Sequence, residues 1–193
     1  GVNKDNLIMV KALELAEGEE EDYKYYGNMV KFCSESDLTK DENYDKVCRM
    51  IDMESYIDYM AVMLYSARTI DWPSENYACW RVKKEEDGVY GDGKWRWMVF
   101  DMNSYGFYPE LDSMSWAMSN DDMFKNLMTN DTFKSQLISR IEELSDTVFE
   151  AEAMEKKLDD YRSFMAEAMR ENDRRFYNDD SLASFDREIE ELK

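Results

Sequence analysis

The residues best suited to chemistry lie between Thr69 and Gly106. Asp71 and Asn76 stand five residues apart in T-I-D-W-P-S-E-N-Y, where Pro73 prevents a continuous helix. Asp101 closes the apolar run W-R-W-M-V-F, read as a short strand ahead of a glycine-containing turn, and Asn103 follows two residues on. Metal-dependent phosphoryl transfer uses such a set in this order: an Asp that orients or deprotonates the attacking hydroxyl, an Asn oxygen on magnesium, then an Asp on magnesium. On that pattern Asp71 is the catalytic candidate, and Asn76 and Asp101 are the metal and nucleotide candidates. Asn103 would add a further oxygen ligand, directly or through water.

Each residue has a plainer reading. A D-x-x-x-x-N match arises by chance in an acidic chain; alone, Asp71 reads as a helix or turn cap and Asn76 as a turn residue. Asp101 carries more, because an ionised group directly after a β-prone run is costly without a partner. Its alternative is a turn-forming Asp at a strand end. Asp71 and Asp101 would also serve as paired carboxylates for glycoside hydrolysis, but no dedicated general acid stands out among 44 acidic residues. Cys79 has no histidine to activate it, since the chain contains none. Arg81, Lys83, Lys84, Lys94 and Arg96 form the one basic concentration. They could contact phosphates or form a solvated hairpin face.

Composition narrows the field. A formal charge of -20, from 44 acidic against 24 basic residues, argues against nucleic acid or an anionic membrane surface as partner. Five Trp, thirteen Tyr and nine Phe exclude intrinsic disorder. Two prolines and seven glycines point to a largely helical chain. The absence of histidine removes His-based triads, general acid–base catalysis by imidazole and ordinary His zinc sites. Cys33, Cys48 and Cys79 are odd in number and lack C-x-x-C spacing, so neither zinc nor a disulfide framework is indicated; a Cys33–Cys48 bridge is open but unforced, and buried free thiols are the expectation. No apolar run approaches the ~20 residues of a membrane span.

These residues need elements to place them. Residues 6–16 read as a strand and Tyr23 to Phe32 as a short helix. Thr39 and Glu42 fit a capping box ahead of a helix over 43–51, with Tyr44, Val47, Cys48 and Ile51 on one face. Asp52 caps a helix from Met53 to about Ala67 that is apolar on most sides, so it belongs in the centre and holds the Asp71 loop. Residues 77–84 and 94–100 form a hairpin whose connection has two glycines suited to φ > 0. Beyond Asp121 the chain reads as helix after helix, with Asp131 as an N-cap, an amphipathic stretch from Ala151 to about Tyr177, and a last helix from Ser181 or Ser184. The expected architecture is mainly α with a small β-hairpin (α+β). It forms one domain over 1–193, subdivided into an N-terminal segment 1–40, a catalytic-loop and hairpin segment 41–110 and C-terminal helices 111–193.

Taken together, I-D-M-E-S-Y-I-D-Y-M, I-D-W-P-S-E-N-Y-A-C-W-R and D-G-K-W-R-W-M-V-F-D-M-N resemble the CotH kinase family, named for spore coat protein H. D-D-M-F-K-N-L-M-T-N-D-T-F-K-S-Q-L-I-S-R-I-E-E-L and A-M-R-E-N-D-R-R-F are similar to that family's later helices, so the likeness spans roughly residues 40–193. The resemblance implies the C-terminal lobe of a protein-kinase-like fold, ATP with Mg2+ or another divalent metal, and protein or coat and surface partners. It also implies an extracellular, cell-surface or spore-coat location. Asp71 then matches the catalytic-loop Asp, Asn76 the loop's metal-binding Asn and Asp101 the metal-binding Asp. The family often has Asp-x-Asp at the last site, whereas Asp101-Met102-Asn103 offers a neutral second ligand. The stretch ahead of residue 40 is too short for an N-terminal lobe, and Lys11 and Lys31 lack a strand-and-helix context for phosphate binding. The chain is therefore expected to be a fragment inactive by itself. The alternative is a non-catalytic surface or coat module that keeps the fold.

Overall fold

The computed structural model describes residues 1–67, 69, 72, 74–102, 110–176 and 181–192. Asp71, Pro73 and Asn103 lie outside the described residues. In chain order the elements are β1 (Leu7–Lys11), β2 (Glu14–Glu17), α1 (Tyr23–Glu35), α2 (Asp41–Met50), α3 (Met53–Tyr65), β3 (Ala78–Val82), β4 (Arg96–Trp97), α4 (Ser113–Asn120), α5 (Asp122–Leu127), α6 (Asp131–Asp146), α7 (Ala151–Phe176) and α8 (Ser181–Leu192). The chain is mainly α with a small antiparallel sheet, as its composition indicates. Its contacts gather into two compact units, Gly1–Ile141 and Glu142–Lys193. The division falls inside α6, so no linker composition marks it.

The sheet is larger than the expected hairpin. Its four strands run in the order β2-β1-β3-β4, antiparallel throughout. The apolar run over 6–16 is not one strand, because it reverses at Ala12 and Leu13, whose φ angles of 50° and 62° place both in the left-handed region. This turn lacks the usual Gly or Asn, and contacts from elsewhere hold it. The Tyr23 hydroxyl donates to the Leu13 carbonyl at 2.8 Å, and the Ala12 N–H donates to the Tyr77 carbonyl at 2.8 Å. β4 is only two residues long. Its outer side is covered by the α2–α3 junction: Trp95 N–H donates to Met50 O at 2.9 Å and Asp52 N–H to Trp95 O at 3.0 Å. In the β3–β4 connection, Gly88 and Gly93 take φ of 119° and 71°, as the turn requires.

α3 is the central helix of the first unit. The Asp52 carboxylate accepts from Ser55 N–H at 3.2 Å and caps it. Tyr56, Ile57, Tyr59, Met60, Ala61, Met63 and Leu64 are all buried, each large apolar chain contributing about 1.5–3 kcal/mol. An aromatic seam ties α3 to its neighbours: Tyr56 packs edge-on against Trp97 at 4.6 Å between centroids and beside Phe133 at 6.1 Å.

Two expected caps differ. Thr39 and Glu42 do not form a capping box, because Asp37 takes both Thr39 donors, the N–H at 3.2 Å and the hydroxyl at 2.6 Å. α2 accordingly begins at Asp41 without a side-chain cap. At α6 the capping carboxamide is Asn130 rather than Asp131. Its Oδ1 accepts from Phe133 N–H at 3.0 Å while its Nδ2 donates to Leu38 O at 2.8 Å.

In the second unit α7 pairs with α8, and Arg162 bonds Asp186 and Glu190 at 2.8 Å each. The three cysteines are free thiols; burial pushes the Cys33 thiol up to about 12. No helix among the described residues is long and apolar enough to cross a membrane.

Candidate functional site

Asn76 sits between the loop that follows α3 and the first residue of β3, and the next side chain fixes it there. Tyr77 is buried, edge-on to Tyr59 at 6.3 Å and to Trp97 at 6.5 Å. Its neighbour strand β4 pairs Trp97 with Cys79, and Met98 N–H donates to Ala78 O at 3.0 Å. Three residues further on, the chain reaches Asp101. The two strands thus bring Asn76 and Asp101 to the same end of the sheet. The Asn76 carboxamide nitrogen donates to the Asp101 backbone carbonyl at 3.4 Å, joining residues 25 apart in sequence.

Asp101 is exposed and its φ is 52°. Asp and Asn are enriched in that left-handed region, so the turn-forming reading of Asp101 describes its backbone. It does not exclude a ligand role for the carboxylate. Asn76 is half-buried. Both residues offer hard oxygen donors, the kind Mg2+ takes. Among the described residues no group of three or more His, Cys, Asp or Glu gathers as an all-protein metal cage. A site of one carboxylate and one carboxamide open to water fits Mg2+, which keeps several waters and binds through few protein groups plus substrate phosphates.

Three of the five basic hairpin residues have other work. Arg96 is buried and bidentate to Asp92, at 2.8 and 2.9 Å. Its Nε also lies 2.9 Å from Asp52. Tyr90 and Trp80 rings flank the guanidinium at 5.4 and 6.0 Å. Lys83 reaches the buried Asp22 at 2.8 Å. Burial raises the Asp22 carboxyl, but Lys83 and the Glu19 N–H more than reverse it and leave it below its ordinary value. Arg81 donates to Val82 O at 2.9 Å, and its guanidinium lies 5.4 Å from the Tyr25 ring. Arg96 and Lys83 are therefore internal ion-pair partners, neither phosphate ligands nor a solvated face. Their partners Asp52 and Asp22 are remote in sequence, which is why the pairing could not be read there.

A cleft of about 580 Å³ lies between α3 and the hairpin, lined by Glu54, Asp58, Trp80, Tyr90 and Trp97 among others. Neither Asn76 nor Asp101 lines it. Cys79 is buried, and burial holds its thiol well above its ordinary value, so it is no nucleophile.

Among the described residues, Lys11 brings a cation to the Asn76–Asp101 end of the sheet. Lys11, the last residue of β1, places its Nζ 4.8 Å from the centroid of the Phe100 ring. Its strand was legible over residues 6–16, but the strand's partner was not, because the pairing of β1 with β3 is non-local.

The family model of the CotH kinase proteins matches residues 7–193. The chain belongs to the CotH kinase family. The match begins well ahead of residue 40, so β1, β2 and α1 are part of the CotH segment rather than a separate leader to it. Membership supports a kinase-like function for this CotH chain, in a family named for a spore coat protein. No curated protein and no solved structure matches it.

Proposed function

We propose that this CotH chain carries the catalytic and metal-binding residues of a protein kinase that transfers phosphate from ATP to protein hydroxyls. The observation that carries the reading is the junction of Asn76 and Asp101 at one end of the sheet, in a family of kinase proteins. Asn76 and Asp101 would hold a divalent metal, with Asn103 as a further oxygen ligand. The metal, when bound, would neutralise charge on the nucleotide phosphates. Asp71, five residues ahead of Asn76, would accept the proton of the attacking hydroxyl. The Asn76 carboxamide, donating to the Asp101 carbonyl, would keep the two ligands in register. The substrates would be coat or surface proteins, in keeping with the family's name.

Transfer of radiolabelled phosphate from ATP by the full-length protein tests this reading. Wild type should label protein, and Asp101→Asn should abolish labelling while the fold is kept. Labelling that persists in Asp101→Asn removes Asp101 from the metal role. A second reading, a non-catalytic coat or surface module, is favoured by Asn103 standing where the family often has a second Asp. Failure of wild type to label protein with Mg2+, Mn2+ or Ca2+ would select it.

A further inference from the structure

The sheet register fixes Lys11 beside the candidate site. Lys11 pairs with Ala78, and the N–H of the next residue, Ala12, bonds the Tyr77 carbonyl at 2.8 Å. The end of β1 is thus anchored against the backbone that immediately follows Asn76. From there the Lys11 side chain lies over the Phe100 ring, 4.8 Å from its centroid, and Phe100 is bonded directly to Asp101. The chain holds 44 acidic and 24 basic residues, and Arg96 and Lys83 are both engaged by carboxylates. Lys11 is exposed and forms no ion pair among the described residues. A ring face steadies an ammonium without neutralising it, so positive charge persists on the ring of the residue that precedes Asp101, at the sheet end where Asn76 enters β3.

Resting on the metal–nucleotide reading of Asn76 and Asp101, we infer that Lys11 is the phosphate-binding cation of that site. Its ammonium takes non-bridging oxygens of a metal-bound nucleoside triphosphate. A flexible stem with three donors suits the point-charge capture of phosphate. The metal ligands compensate one side of the phosphate chain and Lys11 compensates another. An anion arriving at the site exchanges the weak ring contact for charge-assisted hydrogen bonds.

Calorimetric titration of the full chain with Mg·ATP tests the assignment, using wild type, Lys11→Met, Lys11→Arg and Phe100→Leu, with thermal melts to show each is folded. Lys11→Met should bind about tenfold more weakly, the loss expected for a charge-assisted hydrogen bond. Lys11→Arg and Phe100→Leu should stay within about threefold of wild type. Equal binding by Lys11→Met and wild type overturns the inference and leaves the metal reading standing. A loss in Phe100→Leu as large as in Lys11→Met also overturns it, because Lys11 would then act only by pinning Phe100 and Asp101. No binding by wild type defeats the metal–nucleotide reading, and the role of Lys11 falls with it.

Discussion

Replacing Arg96 by Met should destabilise the first unit by about 2–3 kcal/mol, a value that follows from its surroundings. Hydrogen bonds to charged groups contribute about 1.5–3 kcal/mol, and orphaning a buried charge costs about 3–5 kcal/mol. The Arg96 side chain is 8% exposed, but its partners Asp52 and Asp92 are 27% and 41% exposed. Water would rehydrate them once the guanidinium is gone, which puts the cost at the lower end. Met refills much of the space left by the aliphatic stem, so little cavity term is added. The assay is favourable because all five tryptophans, at 72, 80, 95, 97 and 116, lie in Gly1–Ile141. Urea unfolding followed by tryptophan fluorescence therefore reports that unit, and its midpoint should fall by about 1 M. The loss should also depend on pH. The Arg96 guanidinium holds the Asp92 carboxyl below its ordinary value, against the upward push of burial. A depressed folded pKa contributes stability in full above the unfolded value, about 3.9, and loses it as pH falls through the folded value. The gap between wild type and Arg96→Met should therefore narrow below about pH 4. A loss under about 0.5 kcal/mol at pH 7, the size of an ordinary surface pair, would refute the reasoning.

Two more outcomes follow from the first unit. Asn130→Ala should cost about 2–3 kcal/mol in the same urea assay, since it removes the α6 cap and orphans the Leu38 carbonyl; Asp131→Ala should be nearly silent, and the reverse ranking would restore Asp131 as the cap. Thiol titration of the native protein should label Cys48 first and leave the buried Cys33 and Cys79 unreacted until denaturant is added, whereas rapid native labelling of all three would contradict their burial.

What the sequence disclosed was local. Asp52 ahead of an apolar helix is a cap signal that needs only neighbours, and α3 with its buried Tyr56, Met60 and Leu64 follows from periodicity. The β3–β4 hairpin is likewise announced by the glycines between its strands. The failures share one cause, which is competition from residues elsewhere. Asp37 draws Thr39 away from its capping box, and Asn130 outbids Asp131 because its carboxamide can also donate to Leu38. β1 could not be assigned a partner because antiparallel pairing across some seventy residues leaves no periodic trace. At the site, the residue types of Asn76 and Asp101 were legible and the β3–β4 hairpin accounts for their meeting, but the arrival of Lys11 depends on that same non-local pairing.

The placement of β1 between β2 and β3 also sets the order of events during synthesis. Leu7 pairs with Val82, so a chain emerging at about 5–20 residues per second must wait several seconds for its partner strand. Until then β1 and β2 form at most a lone hairpin, which is marginal in water. The helices α1 to α3, made in the interval, draw their backbone bonds from neighbours in sequence, but at 13, 10 and 13 residues each is marginal until it is packed. The sheet, and with it the meeting of Lys11, Asn76 and Asp101, is a late event that waits for the hairpin arm to leave the ribosome.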